Sequence, residues 1–303
     1  MSVTSINGNR YKLKHLLLIT EYRRTRFFAS FPRLSVECLR VSHRLAGCPH
    51  AMKMLITAGG TRAHIDTVRC FSTIFTGKTG ATVATTAWNR GHTVTFLTSN
   101  PDQLPEIPDQ STLSERRFQT TVYSSFDDLT MLLQKHVRSG EYDVIIHTAS
   151  IAEYLVAGAY MPDAGTQFQS RSQTWEAPGA PKFVERKSGQ LDGTEAEVWV
   201  RLMRAPRLID RFRPQWGFRG TLVVFKTLSG RNDTELIAAA DEARGNSYAD
   251  LIAANTAESA KHWALLGPVD GRFERVARRE LPERLLLTVE HMRQTGKGSW
   301  HDG

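Results

Sequence analysis

The chain is poor in cysteine and has no long apolar run. Its three cysteines, Cys38, Cys48 and Cys70, show no CxxC spacing and no histidine cluster around them. They supply neither a disulfide framework nor a zinc site, which points to a reducing compartment and a cytoplasmic protein. No stretch of about 18 apolar residues occurs, so no spanning helix and no membrane partner is expected. A GxGxxG fingerprint is also missing. The second predicted strand ends in Thr98, Ser99 and Asn100 rather than an acid, which weakens any dinucleotide site that reads ribose hydroxyls.

An evenly distributed charge excess is absent too. Of the 39 Lys and Arg and 31 Asp and Glu behind the net charge of +8, residues 1–51 hold nine bases and two acids. The remainder is nearly balanced, with 30 bases against 29 acids. A nucleic-acid footprint needs its bases clustered on the folded module, so no nucleic-acid partner is expected. Residues 1–51 read as a basic extension, disordered or the product of a start assigned too far upstream, with translation beginning at Met52 or Met54. An organellar transit peptide or a genuine extension is the other reading. Residues 52–303 read as one domain, with a core of the size the chain length allows.

What is present is a βα alternation. Met54–Ala58 is a short apolar run closed by Gly59-Gly60-Thr61, the pattern of a buried strand. Residues 79–90 have small and apolar side chains at helical spacing and stop at Gly91. Further strands are expected over 93–98, 118–123, 143–149, 195–203, 220–227 and 249–254. Helices are expected over 127–138 with Ser125 as N-cap, from Pro206, and over 234–244 and 281–293. Residues 153–193, rich in Gly, Pro, Ser and Gln, read as a long, partly mobile excursion. The fold class is α/β: a Rossmann-like, mostly parallel sheet with helices on both faces and a long mobile excursion.

In such sheets ligands bind beyond the carboxyl ends of the strands. That edge gathers residues 58–69, 149–154, Phe225 and Asn255. The Thr76-Gly77-Lys78-Thr79-Gly80 segment opens a helix, where free N–H groups and the helix dipole favour an anion. It is not a P-loop, because Ser72 stands where the first glycine is required. Glu153 after the fourth strand is a solvated loop acid, or it holds magnesium or a ribose hydroxyl. Phe225 is core, or it stacks on a base. Asn255 caps a helix, or it reads a base edge. His64 and His147 lack companions and read as structural.

Taken in order, these pieces resemble the phosphopantothenate–cysteine ligase family. The resemblance rests on Thr57-Ala58-Gly59-Gly60-Thr61-Arg62, Asp66-Thr67-Val68-Arg69, Thr76-Gly77-Lys78-Thr79-Gly80, Ala149-Ser150-Ile151-Ala152-Glu153-Tyr154, Val224-Phe225-Lys226 and Asp250-Leu251-Ile252-Ala253-Ala254-Asn255. It covers roughly residues 54–290, with no single piece specific. It implies a ligase that activates the carboxylate of 4′-phosphopantothenate with CTP or ATP, releases pyrophosphate and joins cysteine to the acyl-nucleotide, with Mg2+ as cofactor. It also implies nucleotide contacts at Gly59, Gly60, Thr76, Gly77, Lys78, Gly80, Ala149, Glu153, Phe225 and Asn255. Arg69 and Thr73 would contact substrate and, with Lys187, take part in catalysis. Either Arg186 or Lys187 matches the family's mobile lysine. A homodimer is implied, and a separate flavin-dependent decarboxylase is expected to act with the chain.

Two positions depart from the family. Thr73 stands where the family has an asparagine tied to the acyl intermediate, and Phe75 replaces a small residue. A hydroxyl cannot supply an amide's two donors and carbonyl. The rival readings are an NAD(P)-binding Rossmann oxidoreductase and a diverged, non-catalytic nucleotide-binding relative. The short-chain dehydrogenase pattern fails, because Gly158 rather than lysine follows Tyr154 at the required spacing.

Overall fold

Burial runs unbroken from Met54 to Ala58 in the strand Lys53–Ala58 (β1), which is covered on both sides. Met54, Ile56 and Ala58 join one buried cluster and Leu55 joins the other. The computed structural model describes residues 51–103, 117–186, 191, 193, 196–228 and 232–296. Residues 1–50 of the basic extension 1–51 lie outside the described residues.

After β1 comes a short hairpin, Arg62–His64 (β2) and Cys70–Ser72 (β3), then helix Lys78–Asn89 (α1) and strand Thr93–Thr98 (β4). Phe118–Val122 (β5), Phe126–Arg138 (α2) and Val144–His147 (β6) follow. The excursion contributes Tyr154–Pro162 (β7), Gln167–Gln169 (β8), Thr174–Glu176 (β9) and Phe183–Glu185 (β10), and Trp199–Arg204 (β11) follows it. The chain ends with Thr221–Leu228 (β12), Asp233–Asn246 (α3), Leu251–Thr256 (β13), Trp263–Val269 (β14), Arg272–Ala277 (β15) and Leu281–Gln294 (α4).

The central sheet has eight strands in the order β15-β14-β13-β12-β6-β1-β4-β5. The strands from β13 to β5 are parallel, and β14 and β15 extend the sheet antiparallel. Helices α1 and α4 pack on one face through Val83, Ala84, Leu285 and Val289. On the other face lie α2, α3 and residues 208–218, with Leu133, Leu236, Phe212 and Trp216. Each fully buried Leu or Val side chain contributes about 1.5–3 kcal/mol. Helix α2 begins on a capping box. Ser125 Oγ accepts from the Asp128 amide, and the Asp128 carboxylate accepts from the Ser125 amide, which satisfies two orphan donors.

Four stretches of the excursion, residues 154–162, 167–169, 174–176 and 183–185, form strands. Strands β10 and β11 flank β7 as an antiparallel sheet, and β8 pairs with β9. Trp175 packs against Phe168, Phe183 and Trp199, with ring centroids 4.7–5.0 Å apart. These aromatics are far apart in sequence, so composition read locally shows only the intervening Gly, Ser and Gln. The helix expected from Pro206 is a single 3-10 turn, Leu208–Arg211.

Candidate functional site

The chain order reverses between β1 and β6, and the crevice at this switch point is built largely from backbone. Gly59 leaves β1 with φ 89°, and Gly77, the N-cap of α1, has φ 83°. Both values lie in the left-handed region that favours glycine. A Cβ on Gly77 would stand 2.6 Å from the Gly59 nitrogen and 2.9 Å from its Cα. A Cβ on Gly80 would stand 2.4 Å from Thr148 Oγ1 and 2.6 Å from Ala58 Cβ. The start of α1 therefore lies directly on the end of β1, at a distance only glycines permit.

No side chain caps α1, and its first turn has no acid. The first N–H groups of a helix lack intrahelical partners and carry the positive end of its dipole. At Gly77, Lys78 and Thr79 they are presented beside the Gly59-Gly60 loop. That loop is fixed from both sides. Ser99 Oγ accepts from the Gly60 amide at 2.9 Å, and the Ser150 amide donates to the Gly59 carbonyl at 2.7 Å. Ser99 thus occupies the place of the missing acid after β4.

Thr73 faces the same loop. A Cβ on Gly60 would lie 2.6 Å from Thr73 Oγ1, and that hydroxyl donates to the Ser150 carbonyl at 3.5 Å. Thr76 and Lys78 are exposed, and the Thr76 carbonyl accepts from Asn100 Nδ2 at 3.4 Å. Ala149, just past β6, donates its amide to Thr57 Oγ1 at 3.2 Å. Gly59, Gly60, Thr73, Thr76, Gly77, Lys78, Gly80 and Ala149 therefore come together.

Phe225 is half-buried on β12, one residue beyond Val224, the last to pair with β6. Asn255 lies within β13, opposite Thr227, whose hydroxyl donates to Asn255 Oδ1 at 2.9 Å. It is a strand residue, one strand over from β12. Glu153 is exposed in the loop before β7, where its carbonyl accepts from the Ala205 amide. Lys187 lies outside the described residues. Arg186 is described, and its amide donates to the Ala159 carbonyl.

Arg69 is set in an ion pair. Its guanidinium donates to the Asp66 carboxylate at 2.6 Å and to the Leu191 carbonyl at 3.1 Å. Asp66 also accepts from the amides of Val68, Arg69 and Leu191. The Leu191 amide and these other donors hold the Asp66 carboxyl well below the usual carboxylate range. The pair therefore clasps both backbone groups of Leu191, a connection that nothing in the Asp-x-Val-Arg spacing announces.

His147 closes the floor beneath the crevice. It is buried, its Nδ1 is 2.9 Å from Thr57 Oγ1, and its ring meets Phe212 edge-on. Burial pushes the imidazole down to about 4, so it is neutral near pH 7 and serves as scaffold. Among the described residues, no group of three or more His, Cys, Asp or Glu side chains gathers to hold a metal. Glu153, exposed in the loop before β7, is the acid among the residues that the sequence singled out for the site.

Residues 50–161 match the family model described as the DNA/pantothenate metabolism flavoprotein C-terminal domain. The chain is 26% identical over 246 residues to the coenzyme A biosynthesis bifunctional protein CoaBC of Thermococcus kodakarensis, a match covering 79% of this chain and 51% of that protein. The chain thus spans about half the length of this curated relative. Among solved structures it resembles the DNA/pantothenate metabolism flavoprotein from Streptococcus pneumoniae, with TM-score 0.60 and 23% identity over 80% of this chain and 100% of that one. It also resembles the C-terminal domain of a CoaBC protein, with TM-score 0.56 and 19% identity over 80% and 96% of the two chains. A Cab2 mutant in complex with phosphopantothenate-cysteine has TM-score 0.56 and 14% identity, covering 81% and 89%. At these identities the structural likeness shows the fold.

Proposed function

We propose that the chain is a phosphopantothenate–cysteine ligase of coenzyme A biosynthesis, a reading supported by the match of residues 50–161 to the DNA/pantothenate metabolism flavoprotein C-terminal domain. The observation that carries this reading is the seating of Gly77 on Gly59, which aims the uncapped start of α1 at the loop after β1.

The 4′-phosphopantothenate carboxylate attacks the α-phosphorus of CTP or ATP, and pyrophosphate leaves. The cysteine amine then attacks the acyl carbon and the nucleoside monophosphate departs. Activation is needed because a free carboxylate is a poor acyl donor. Amides at Gly59, Gly77, Lys78 and Thr79 hold phosphate oxygens, Gly60, whose amide donates to Ser99 Oγ, lines the loop without a Cβ, Gly80 allows the close approach, and Thr76 and Ala149 flank them. Phe225 and Asn255 receive the base. Thr73, Arg69 and Lys187 act on the substrate carboxylate and phosphates. Magnesium, when bound, neutralises phosphate charge. A lone rim carboxylate such as Glu153 suits an ion held mainly by substrate phosphates and water.

A homodimer is part of the proposal. Strand β11 exposes Trp199, Val200, Leu202 and Met203, and β10 exposes Phe183 and Val184. An apolar surface of this kind favours a second copy as its cover, and sedimentation would show a species of twice the chain mass. The amide product would pass to a flavin-dependent decarboxylase, and the reaction would take place in the cytoplasm.

The test is pyrophosphate release by the purified chain with magnesium, cysteine, 4′-phosphopantothenate and either CTP or ATP. Release with one of the two is expected. Its absence with both overturns the ligase reading.

A further inference from the structure

Arg278 is reached from a part of the chain that no nucleotide motif covers. Strand β15 runs antiparallel to β14, which runs antiparallel to β13. It therefore ends at the same sheet edge as the parallel strands, and Arg278 emerges there before α4. Its guanidinium donates to Thr79 Oγ1 in the first turn of α1. Neighbouring Arg275, Arg279 and Arg284 each pair with a carboxylate, from Asp233, Glu280 and Glu274. Arg278 has none among the described ion pairs, and burial alone pushes its guanidinium down.

A cation at the positive end of a helix is unfavourable. Here Lys78 and Arg278 both stand there, on a helix with no acid in its first turn and no side-chain cap. A guanidinium has five N–H donors, and Thr79 uses one nitrogen. The remaining donors and the free α1 amides suit an oxyanion that makes several bonds at once.

We propose that Arg278 binds the phosphate chain of the nucleoside triphosphate, with Thr79 orienting its guanidinium. This rests on the ligase reading for the position of the nucleotide. The C-terminal β14–β15 hairpin is then part of the nucleotide site.

Isothermal titration of the full chain with CTP, ATP, CMP and AMP, each with magnesium, tests this on Arg278→Gln and Arg278→Lys, with melting temperature recorded for each. Arg278→Gln weakens the triphosphate that the wild type binds by about tenfold or more, leaves the monophosphates unchanged and melts close to wild type. Arg278→Lys, which keeps the charge, recovers part of the loss. Wild-type triphosphate affinity in folded Arg278→Gln overturns the proposal, as does an equal loss for mono- and triphosphates. If the wild-type chain binds neither CTP nor ATP, the nucleotide reading fails and Arg278 falls with it. If it binds one but releases no pyrophosphate, the ligase reading fails alone.

Discussion

Gly77 rests directly on Gly59: a Cβ at Gly77 would lie 2.6 Å from the Gly59 backbone nitrogen, and Gly77 already has φ 83°. Gly77→Ala therefore faces a left-handed backbone, which costs about 1–2 kcal/mol for an L side chain, and a contact that only backbone movement relieves. We expect a loss of more than about 2 kcal/mol in urea denaturation and loss of nucleotide binding. Gly245 in α3 supplies the contrast, because nothing lies within 4 Å of its added Cβ. Gly245→Ala should stabilise by about 0.5–1 kcal/mol. A Gly77→Ala variant as stable as Gly245→Ala would contradict the packing described.

Asp66 holds the hairpin turn to Leu191. Its carboxylate accepts from the Leu191 amide at 3.0 Å while Arg69 donates to the Leu191 carbonyl. Asp66→Asn removes the charge on which these donors converge. The Leu191 and Arg69 amides should then exchange with deuterium faster than in wild type, with protection of β1 unchanged. The Asp66 carboxyl is depressed in the folded chain, so its contribution is complete above about pH 4 and declines as pH falls below that value. Unchanged Leu191 exchange in Asp66→Asn would remove the clasp from the account.

His147 gives a pH dependence of a different origin. Burial pushes it down to about 4, whereas the unfolded chain keeps about 6.5. Between these values the unfolded state holds the proton and the folded state does not, so stability is lost as pH falls from about 6.5 towards 4. At about 1.4 kcal/mol per pH unit the full effect is on the order of 3 kcal/mol. His147→Asn keeps a partner for Thr57 Oγ1 and does not titrate. Its melting temperature should fall less steeply over that window, and an unchanged slope would assign the dependence to other groups.

The parallel core was legible because β1, β4, β6, β12 and β13 are short, largely buried runs bounded by turn residues. Residues 93–98 are a strand in both readings, and Gly91 does follow α1. Other parts left no local signal. Strands β2 and β3 have three residues each and are mostly exposed, so they have no burial pattern to read. Pro268 argues against a strand, yet β14 accommodates it where its pairing with β15 shifts register. Asn255 lies inside β13 because β12 extends to Leu228 and continues the pairing. The glycine-lined contact between the end of β1 and the start of α1 was visible because steric demand restricts residue type. Arg278 was not, because its role depends on where the antiparallel β15 ends.

Thr73 decides how far the chemistry runs. Its hydroxyl stands beside Gly60 and donates to the Ser150 carbonyl at 3.5 Å, at the limit of a hydrogen bond. The family resemblance places an asparagine here, whose amide offers two donors and a carbonyl acceptor where the hydroxyl offers one donor and an acceptor oxygen. In the ligase reaction proposed above, the first half-reaction needs phosphates held and pyrophosphate expelled, and the glycine-lined start of α1 would serve both. The second needs stabilisation of charge on the acyl oxygen, where one well-placed donor is worth about 10²–10³ in rate. Thr73→Asn should therefore raise amide formation by about tenfold or more and leave pyrophosphate release nearly unchanged. Gly60 has no Cβ to obstruct the added atom. Quenched-flow separation of acyl-nucleotide from amide product reads the two steps apart. If Thr73→Asn slows both steps together, the hydroxyl is itself the fitted group, and the chain's substrate differs from that of the family it resembles.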